Sequence, residues 1–408
     1  MRRVLLAINQ TSLPGERSFT RTLSLYQMLE KSGHEVRIVT SIFNHYDKEK
    51  RDAKAFREKF PDWNVTFIDE PGYEKNVTLK RVWSEIVFAN NLYSWFKKHA
   101  SEYDVVYMTM PTNEGAYKVG KYCNEHNIPY IVDVRDLWPD AMSMFIKPEA
   151  LFKTVTWPMK VIADKAYARA DGIVSVSQEY LNRALQANPN CKNTCIVYQG
   201  ASLSKFDDNA ARSKGDVDKP ADEFWIAYIG TLGESYDLKT FIEAVHELHK
   251  EGYPQIKAKI LGRGPCEADL KSYAAELGAD IDFVGFMPYE RMAGYLCNCD
   301  AMINAIKKDA AQSIVNKVSD YFASGRPTLN GSTNPEMMGL IDQYHAGLNY
   351  EPENADSLKK AILQIHSNKG ECEEMGKGAR RLCEERFDRD RTFLEIIDLI
   401  DNVNSRED

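Results

Sequence analysis

Two glycine-rich turns in the second half of the chain could bring backbone amides close to a phosphate group. Gly230-Thr231-Leu232-Gly233 and Gly262-Arg263-Gly264-Pro265 each follow an apolar strand pattern and precede a helical pattern. Such turns let the backbone approach an anion, and the N-terminus of the next helix adds positive potential. Arg263 favours this interpretation, because a guanidinium can pair with a phosphate or stack on a base. The alternative is a tight turn that needs glycine for its positive φ.

The segment 312–327 holds further groups that could bind a phosphorylated ligand. It follows an apolar strand pattern and opens a predicted helix. Free backbone amides at the start of that helix would come from Ser313, Ile314 and Asn316. Lys317 opposes the helix macrodipole in the first turn, which suggests an anionic partner, and Asp320 near the same end could hold ribose hydroxyls. The alternative is an ordinary amphipathic helix with a surface lysine.

In the first half, charged side chains follow a buried strand at Asp133, Arg135 and Asp136. Ligands of open parallel sheets bind at the carboxyl ends of the strands, so these groups are candidates for catalysis. Gly15, just after the first strand, marks a second loop that could line the same cleft. The alternative for the charged group is a local ion pair that pins the loop.

Short apolar, β-branched segments alternate with helical patterns along most of the chain, which is typical of parallel sheets covered on both faces. We expect strands at 4–8, 35–41, 64–69, 104–110, 130–134, 172–177, 195–199, 225–230, 256–262, 281–285, 301–306, 327–331 and 346–350. We expect helices at 18–33, 113–126, 178–187, 237–250, 267–277, 289–298, 313–324, 356–366 and 388–403. The polar segment 203–223 interrupts the alternation and predicts a linker between two α/β domains.

Composition excludes several classes of protein. A net charge of −8 over 408 residues gives no reason to expect nucleic-acid binding. The eight cysteines lack paired CxxC spacing, which predicts a reducing, cytoplasmic setting and no zinc site. The first apolar run is too short for a signal peptide, and no segment approaches the length of a membrane span. Three Asp-x-Asp pairs, at Asp216, Asp280 and Asp388, are interpreted as chance, so no metal is predicted.

Seven segments form a combined pattern in this order: GHEVRIVT (33–40), IPYIVDVRDLWPD (128–140), ARADGIVSVSQEY (168–180), YIGTLGESYDL (228–238), ILGRGP (260–265), FVGFMPYERMAGYLCNCD (283–300) and NKVSDYFASGRPTL (316–329). The pattern covers nearly the whole chain and resembles the GT-B glycosyltransferases of family 4. The resemblance is strongest to the bacterial branch that builds O-antigen, capsule and exopolysaccharide.

The resemblance implies an α/β protein with two Rossmann-like, doubly wound domains that face each other across a cleft. Residues 1–200 with 386–408 would form the acceptor-side domain, since the family's last helix crosses back to the first domain. Residues 201–385 would bind the nucleotide-sugar.

The resemblance also implies the reaction, which is metal-independent transfer with retention of anomeric configuration from a nucleotide-sugar, with UDP the family's usual nucleotide. The acceptor would be a glycan or a polyprenyl-linked sugar, and no cofactor is expected beside the donor. The diphosphate would lie over Gly230–Gly233 and the amides near Ser313–Asn316, with Lys317 close by, and Asp320 would hold the ribose. Uracil would lie near Arg263, Phe286 and Met287. The catalytic candidates are Arg135, Asp136 and Gln312.

Several positions depart from the wider family. Its Glu-x7-Glu pair reads Gln312 and Asp320 here, and its histidine before Asp136 is Arg135. The Arg and Lys that usually follow the first strand of the second domain are absent from GTLGESYDL. The charge of the phosphates must therefore be met by Arg263, Lys317, Arg135 or backbone amides.

Two segments could contact a membrane from the cytoplasmic side. Residues 79–98 and 142–162 both mix tryptophan and phenylalanine with lysines, as interfacial segments do. The alternative for each is a helix packed in the protein. Lipid-linked acceptors in the family favour peripheral contact with the inner face of the plasma membrane.

Two other functions share a two-domain layout. A non-hydrolysing nucleotide-sugar 2-epimerase would need acids and histidines in the cleft, but the histidines here lie outside the motif loops. A periplasmic small-molecule binding protein would carry a signal peptide. A dehydrogenase is disfavoured because G-x-G-x-x-G does not follow the first strand.

Overall fold

The computed structural model describes residues 1–16, 20–76, 78–140, 149–310 and 314–405. The chain divides into two compact units, Met1–Tyr198 with Phe393–Asp408 and Gln199–Thr392. Each unit is a parallel sheet covered by helices, so the expected α/β class of two Rossmann-like domains is correct.

The first unit is built on seven parallel strands in the order β5-β2-β1-β6-β7-β8-β9. These strands are β1 (Arg3–Ile8), β2 (Glu35–Ser41), β5 (Val65–Ile68), β6 (Val105–Met110), β7 (Tyr130–Val134), β8 (Gly172–Ser175) and β9 (Asn193–Ile196). The short strands β3 (Phe43–Asn44) and β4 (Glu49–Lys50) form an antiparallel pair. The helices are α1 (Arg21–Lys31), α2 (Ala53–Lys59), α3 (Leu79–His99), α4 (Asn113–Glu125), α5 (Glu149–Ala168) and α6 (Gln178–Ala187).

Both faces of the first sheet are covered, which explains its unbroken apolar strands. Leu5 and Ala7 face a core with Phe88 and Leu92 of α3, whereas Leu6 faces the opposite core. That second core includes Phe393, Ile396 and Ile400 of the last helix. A strand buried on both faces has no polar side to alternate with the apolar one.

The second unit is built on six parallel strands in the order β12-β11-β10-β13-β14-β15. They are β10 (Phe224–Ile229), β11 (Ile256–Leu261), β12 (Ile281–Gly285), β13 (Ala301–Asn304), β14 (Thr328–Asn330) and β15 (Gly347–Asn349). The helices are α7 (Leu203–Ser213), α8 (Leu238–Lys250), α9 (Glu267–Leu277), α10 (Tyr289–Asn298), α11 (Val318–Ala323), α12 (Pro335–Tyr344), α13 (Ala355–Ser367), α14 (Lys369–Leu382) and α15 (Arg389–Asn402). The last of these enters the first unit at Phe393.

Strand order reverses beside the first strand of each sheet. β1 lies between β2 and β6, and β10 lies between β11 and β13. In open α/β sheets this reversal opens a crevice at the carboxyl ends of the strands, where ligands bind.

The predicted linker at 203–223 is wrong over its first half, because Leu203–Ser213 is helix α7. Leu203, Phe206 and Ala210 are buried on one face of this helix. Ser213 Oγ donates to the Glu290 carbonyl at 2.9 Å, where α7 meets α10. Three apolar residues at helical spacing are enough to bury one face of this helix, although its other residues are mostly charged or polar.

The division between the units differs from the sequence expectation at two places. Residues 199–200 and 386–392 were expected in the first domain, whereas they pack with the second unit. The amide of Ala201 donates to the Phe387 carbonyl at 2.9 Å, and the amide of Arg389 donates to the Ala201 carbonyl at 2.9 Å. These hydrogen bonds tie the two segments together before the last helix continues.

Most predicted elements lie within a few residues of those observed. The helices at 178–187, 267–277 and 289–298 have the predicted bounds. The helix predicted at 313–324 is shorter, since α11 begins at Val318. No described helix has the length and apolar character that a membrane crossing needs.

Candidate functional site

The site in the second unit is assembled from loops that follow four adjacent strands. Gly230 follows β10, Gly262 follows β11, Phe286 follows β12, and Lys317 lies in the connection after β13. Because these strands are parallel neighbours, their following loops meet at one edge of the sheet.

The two glycine turns pack backbone against backbone. The amide of Gly230 donates to the Leu261 carbonyl at 2.9 Å, and Leu232 donates to the Arg263 carbonyl at 3.0 Å. Gly262 has φ +138°, and a Cβ there would overlap the carbonyl oxygen of Gly230. Glycine is therefore required sterically, as the alternative interpretation held, and the same packing shapes the exposed turn.

The first turn keeps two amides available to a ligand. Among the residues the structure describes, the amides of Thr231 and Gly233 have no hydrogen-bond acceptor. Thr231 is exposed and Gly233 is half-buried. Free amides on an exposed turn form a concave site for an anion.

Lys317 lies directly against this turn. A Cβ added at Gly230 would meet Cε and Nζ of Lys317 at 3.3 Å, so the missing side chain makes room for the lysine. Nζ donates to the Tyr228 hydroxyl at 2.7 Å and lies 3.6 Å from the centroid of the Tyr236 ring. Within the described chain no carboxylate pairs with this ammonium, and burial lowers the pKa of Lys317 well below its usual range. A lysine without a counter-ion beside free amides is suited to a phosphate, whose negative charge would stabilise its ammonium form.

Asp320 lies one turn beyond Lys317 and is held by a side chain from another element. The Tyr289 hydroxyl, at the start of α10, donates to Asp320 Oδ1 at 2.9 Å. Burial raises the pKa of Asp320 to about 6, against the opposing effects of the Tyr289 hydrogen bond and the Arg389 charge. The carboxylate keeps oxygen lone pairs that could accept hydrogen bonds from hydroxyl groups.

The residues that were expected to surround the uracil base lie on the loops after β11 and β12. Arg263 is exposed, and its side chain makes no hydrogen bond or ion pair to another described residue. Phe286 is 69% exposed, whereas Met287 is half-buried. Met287 lines a cavity of about 460 Å³ together with Arg291 and Tyr295. The side chains of Arg263 and Phe286 are therefore free to contact a ligand.

Part of the predicted site lies outside the described residues, namely Gln312 and Ser313. Ile314 is half-buried and Asn316 is exposed. The amides of Asn316 and Lys317 have no acceptor among the residues described.

In the first unit Arg135 is used within a buried ion pair. Its Nε lies 2.6 Å from Oδ2 of Asp133, which is fully buried, and its Nη1 donates to Thr22 Oγ1 at 3.1 Å. Arg21 Nε approaches the same carboxylate oxygen at 3.5 Å. Burial opposes ionisation of Asp133, but the guanidinium charges outweigh it and lower the pKa of that carboxyl. The geometry matches the alternative in which an ion pair pins the loop.

Asp136, the next acid, is separate from that pair. Its Oδ1 accepts from the amide of Leu137 at 2.9 Å, and its Oδ2 accepts from Nε1 of Trp138 at 3.0 Å. Burial raises its pKa despite these hydrogen bonds. The carboxyl group is half-buried at the carboxyl edge of the first sheet.

Gly15 is required by packing. It has φ +83°, and a Cβ would meet Cζ of Phe60 at 2.7 Å. The adjacent Glu16 pairs with Arg51 at 2.6 Å, which anchors the loop to the segment before α2.

Three tyrosines of the site were missed by sequence reasoning: Tyr228, Tyr236 and Tyr289. Tyr228 looked like a core residue of a strand, and it is indeed fully buried. Only the contacts with Lys317 and Asp320 show that these phenols belong to the site. In the described parts of both units, no three His, Cys, Asp or Glu residues are grouped to hold a metal ion.

Two sequence families match the two halves of the chain. "Glycosyl transferase 4-like domain" matches residues 20–198, and "Glycosyl transferases group 1" matches residues 210–382. The Escherichia coli K12 protein "Putative colanic acid biosynthesis glycosyl transferase WcaI" is 22% identical over 357 residues, which cover 84% of this chain and 87% of the relative.

Solved structures share the whole fold at low sequence identity. Anabaena Alr3699/HepE in complex with UDP superposes with a TM-score of 0.71 at 15% identity, over 98% of this chain and 99% of that protein. Sucrose-phosphate synthase from Thermosynechococcus elongatus gives 0.70 at 16% identity, over 98% of each chain. With two matching families that together span most of the sequence, the chain belongs to the GT-B glycosyltransferases of family 4 and is a glycosyltransferase.

Proposed function

We propose that this glycosyltransferase binds a UDP-sugar on its second unit, with the diphosphate over the Gly230–Gly233 turn and against Lys317. The observation that carries the proposal is the Lys317 ammonium, which has no carboxylate partner among the described residues and lies against a turn with two free amides. Anabaena Alr3699/HepE, which shares the fold, was solved with UDP and with UDP-glucose. That supports UDP as the nucleotide.

The remaining donor contacts follow from the same edge of the sheet. We assign the ribose hydroxyls to Asp320, whose carboxylate accepts one hydrogen bond from Tyr289 and can accept others. Arg263 and Phe286 are exposed on the neighbouring loops and can stack on the base. Gln312 remains the predicted contact to the transferred sugar.

The proposed reaction is transfer with retention of configuration and without a bound metal. The bond from the anomeric carbon to the β-phosphate oxygen breaks, and an acceptor hydroxyl oxygen bonds to that carbon on the same face. The hydroxyl proton passes to the leaving phosphate oxygen. Lys317 and the free amides are fixed before the reaction and stabilise the charge that develops on the diphosphate.

On the first unit we retain Asp136 as a catalytic candidate. Arg135 is paired with Asp133, so we assign it to orienting the loop that carries Asp136 instead of to a phosphate contact. The acceptor is proposed to be a glycan or polyprenyl-linked sugar of bacterial surface polysaccharide synthesis. The relative named for colanic acid biosynthesis supports this class.

Contact with the inner face of the plasma membrane is proposed through the start of α3. Leu79, Trp83 and Ile86 are 88%, 53% and 43% exposed and recur at helical spacing, so they form one apolar stripe. Such a stripe can insert into a membrane interface. In the other candidate segment, 142–148 lies outside the described residues, and Val155 and Trp157 are exposed.

Thermal stability in the presence of nucleotides tests the donor site. We expect UDP to raise the melting temperature with and without Mg²⁺, and Lys317→Ala to abolish most of that rise. Lys271→Ala is the matched control, because Lys271 is a half-exposed lysine of the same unit that pairs with Glu267 on α9. No shift with UDP, GDP or dTDP would contradict the proposal, and a shift unchanged in Lys317→Ala would place the donor elsewhere.

A further inference from the structure

Two tyrosines enclose the ammonium group of Lys317. Nζ lies 3.9 Å from the centroid of the Tyr228 ring and 3.6 Å from that of the Tyr236 ring. The Tyr228 hydroxyl accepts a hydrogen bond from Nζ at 2.7 Å and donates one to the Thr231 carbonyl at 2.8 Å. The rings pack edge to face, with centroids 5.7 Å apart. The lysine is thus held between two aromatic rings at the turn that carries the free amides.

The two tyrosines that enclose Lys317 are held in place by hydrogen bonds and packing at the Gly230–Gly233 turn. Tyr236 closes the turn by donating its amide to the Gly233 carbonyl at 3.1 Å. Tyr228 is fully buried at the end of β10, and Ile229 donates its amide to the hydroxyl of Tyr321 at 3.0 Å. The lysine therefore has a fixed position before any ligand arrives.

The surroundings of Nζ attract a cation only weakly. Aromatic rings hold an ammonium less strongly than a buried carboxylate would. The titratable groups that face Nζ are the phenols of Tyr228 and Tyr236, with Tyr321 behind them. Burial lowers the pKa of Lys317 well below its usual range, and among the described residues no negative charge opposes it. Before the donor binds, the lysine thus favours its neutral form more than an exposed lysine does.

We propose that Tyr228 and Tyr236 are positioning residues that hold Lys317 for the donor diphosphate, and that binding of the diphosphate adds a proton to Nζ. The inference rests on the proposed donor site. The proton comes from the buffer, whose conjugate acid loses it, and no other bond changes. The diphosphate supplies a negative charge that the described residues around Nζ do not provide, so the bound state stabilises the ammonium.

The proposal fixes the sign of the pH dependence. Diphosphate affinity is greatest at a pH low enough for Lys317 to be protonated in the free enzyme. It falls as the pH rises from the low pKa of the free enzyme to the higher pKa of the complex. Across that window each bound nucleotide takes up as much as one proton.

Isothermal titration calorimetry at pH 8 with UDP, GDP and dTDP, in two buffers of different ionisation enthalpy, measures this uptake directly. Terminal phosphates ionise with a pKa of about 6, so at pH 8 the nucleotide itself takes up little. We expect proton uptake in the wild type and none in Lys317→Met. We expect Tyr236→Leu to weaken binding about threefold to tenfold, as the loss of a cation–π contact would.

Three further variants distinguish the contribution of the aromatic ring, the contribution of the hydroxyl group and a nonspecific loss of stability. Tyr236→Phe keeps the ring and should bind nucleotide more tightly than Tyr236→Leu. Tyr228→Phe also keeps its ring but removes the hydroxyl that accepts a hydrogen bond from Nζ of Lys317. Tyr253→Leu is the control, because Tyr253 is a half-buried tyrosine at the opposite edge of the same sheet. A wild type that binds nucleotide without proton uptake, or uptake that persists in Lys317→Met, would overturn the inference and leave the donor site standing. Failure of all three nucleotides to bind would overturn both.

Discussion

Replacing Asp133 by asparagine should destabilise the first unit severely. The carboxylate is fully buried, 2.6 Å from Nε of Arg135 and 3.5 Å from Nε of Arg21, whose side chain is 2% exposed. Asparagine keeps the shape but removes the buried negative charge that faces both guanidinium groups. Removing one partner of a buried ion pair costs about 3–5 kcal/mol, because the other charge stays buried without compensation. We expect a loss of that size in the free energy of unfolding.

Urea unfolding of the full chain, followed by circular dichroism, measures the loss. Asp104→Asn is the matched control, because Asp104 pairs with Arg3 at the same distance of 2.6 Å but both side chains are about half-exposed. An exposed pair is weakened by solvent, so the control should lose only a small fraction of what Asp133→Asn loses. If the two substitutions cost the same, the buried pair does not hold this unit together.

The same carboxyl predicts a pH effect of definite sign. The pKa of Asp133 is lowered in the folded state, so its ionised form stabilises the fold fully above the unfolded pKa of about 3.9. That contribution is lost as the pH falls from there through the lower folded value. In Asp133→Asn this part of the acid-side loss should be absent, and urea unfolding at pH 2–5 would show it.

Three further outcomes are expected. Gly262→Ala should destabilise the second unit more than Gly278→Ala, because both residues have positive φ but only at Gly262 would a Cβ strike backbone; equal losses in urea unfolding would contradict the steric argument. Since the pKa of Asp320 is raised to about 6, protonation of this carboxylate below that pH should weaken UDP binding in the wild type relative to Asp320→Asn, and calorimetric profiles of the same shape from pH 5 to 7 in both proteins would exclude it from ribose binding. Trp83→Ser should reduce sedimentation with anionic phospholipid vesicles more than Trp157→Ser, and the reverse order would move the membrane contact to α5.

The sequence predicted the two parallel sheets because each strand can be recognised from its own residues. A strand buried on both faces is continuously apolar, so VLLAI and YIVDV were recognisable without any neighbour. The segment 203–213 was misinterpreted because a helix that buries only one narrow face needs few apolar residues, and Phe206 and Leu203 are easily overlooked among charges.

The site could be predicted only in part, for a similar reason. The glycine turns and the position of Lys317 could be predicted from local patterns, because glycines after a strand and a lysine at the start of a predicted helix are visible in the sequence. The role of Arg135 could not be predicted from the sequence, because its spacing from Asp133 fits both a catalytic group and an ion pair. Only the burial of that carboxylate and the approach of Arg21 from α1 decide for the ion pair.

By itself, then, the sequence determined which segments form the two sheets and which turns follow their strands, because burial and backbone freedom are properties of short segments. The tertiary structure decided which side chains meet. Lys317 is far in sequence from Tyr228 and Tyr236, and Tyr289 reaches Asp320 from another helix. Such contacts depend on how parallel strands are ordered in the sheet, and no local pattern carries that order.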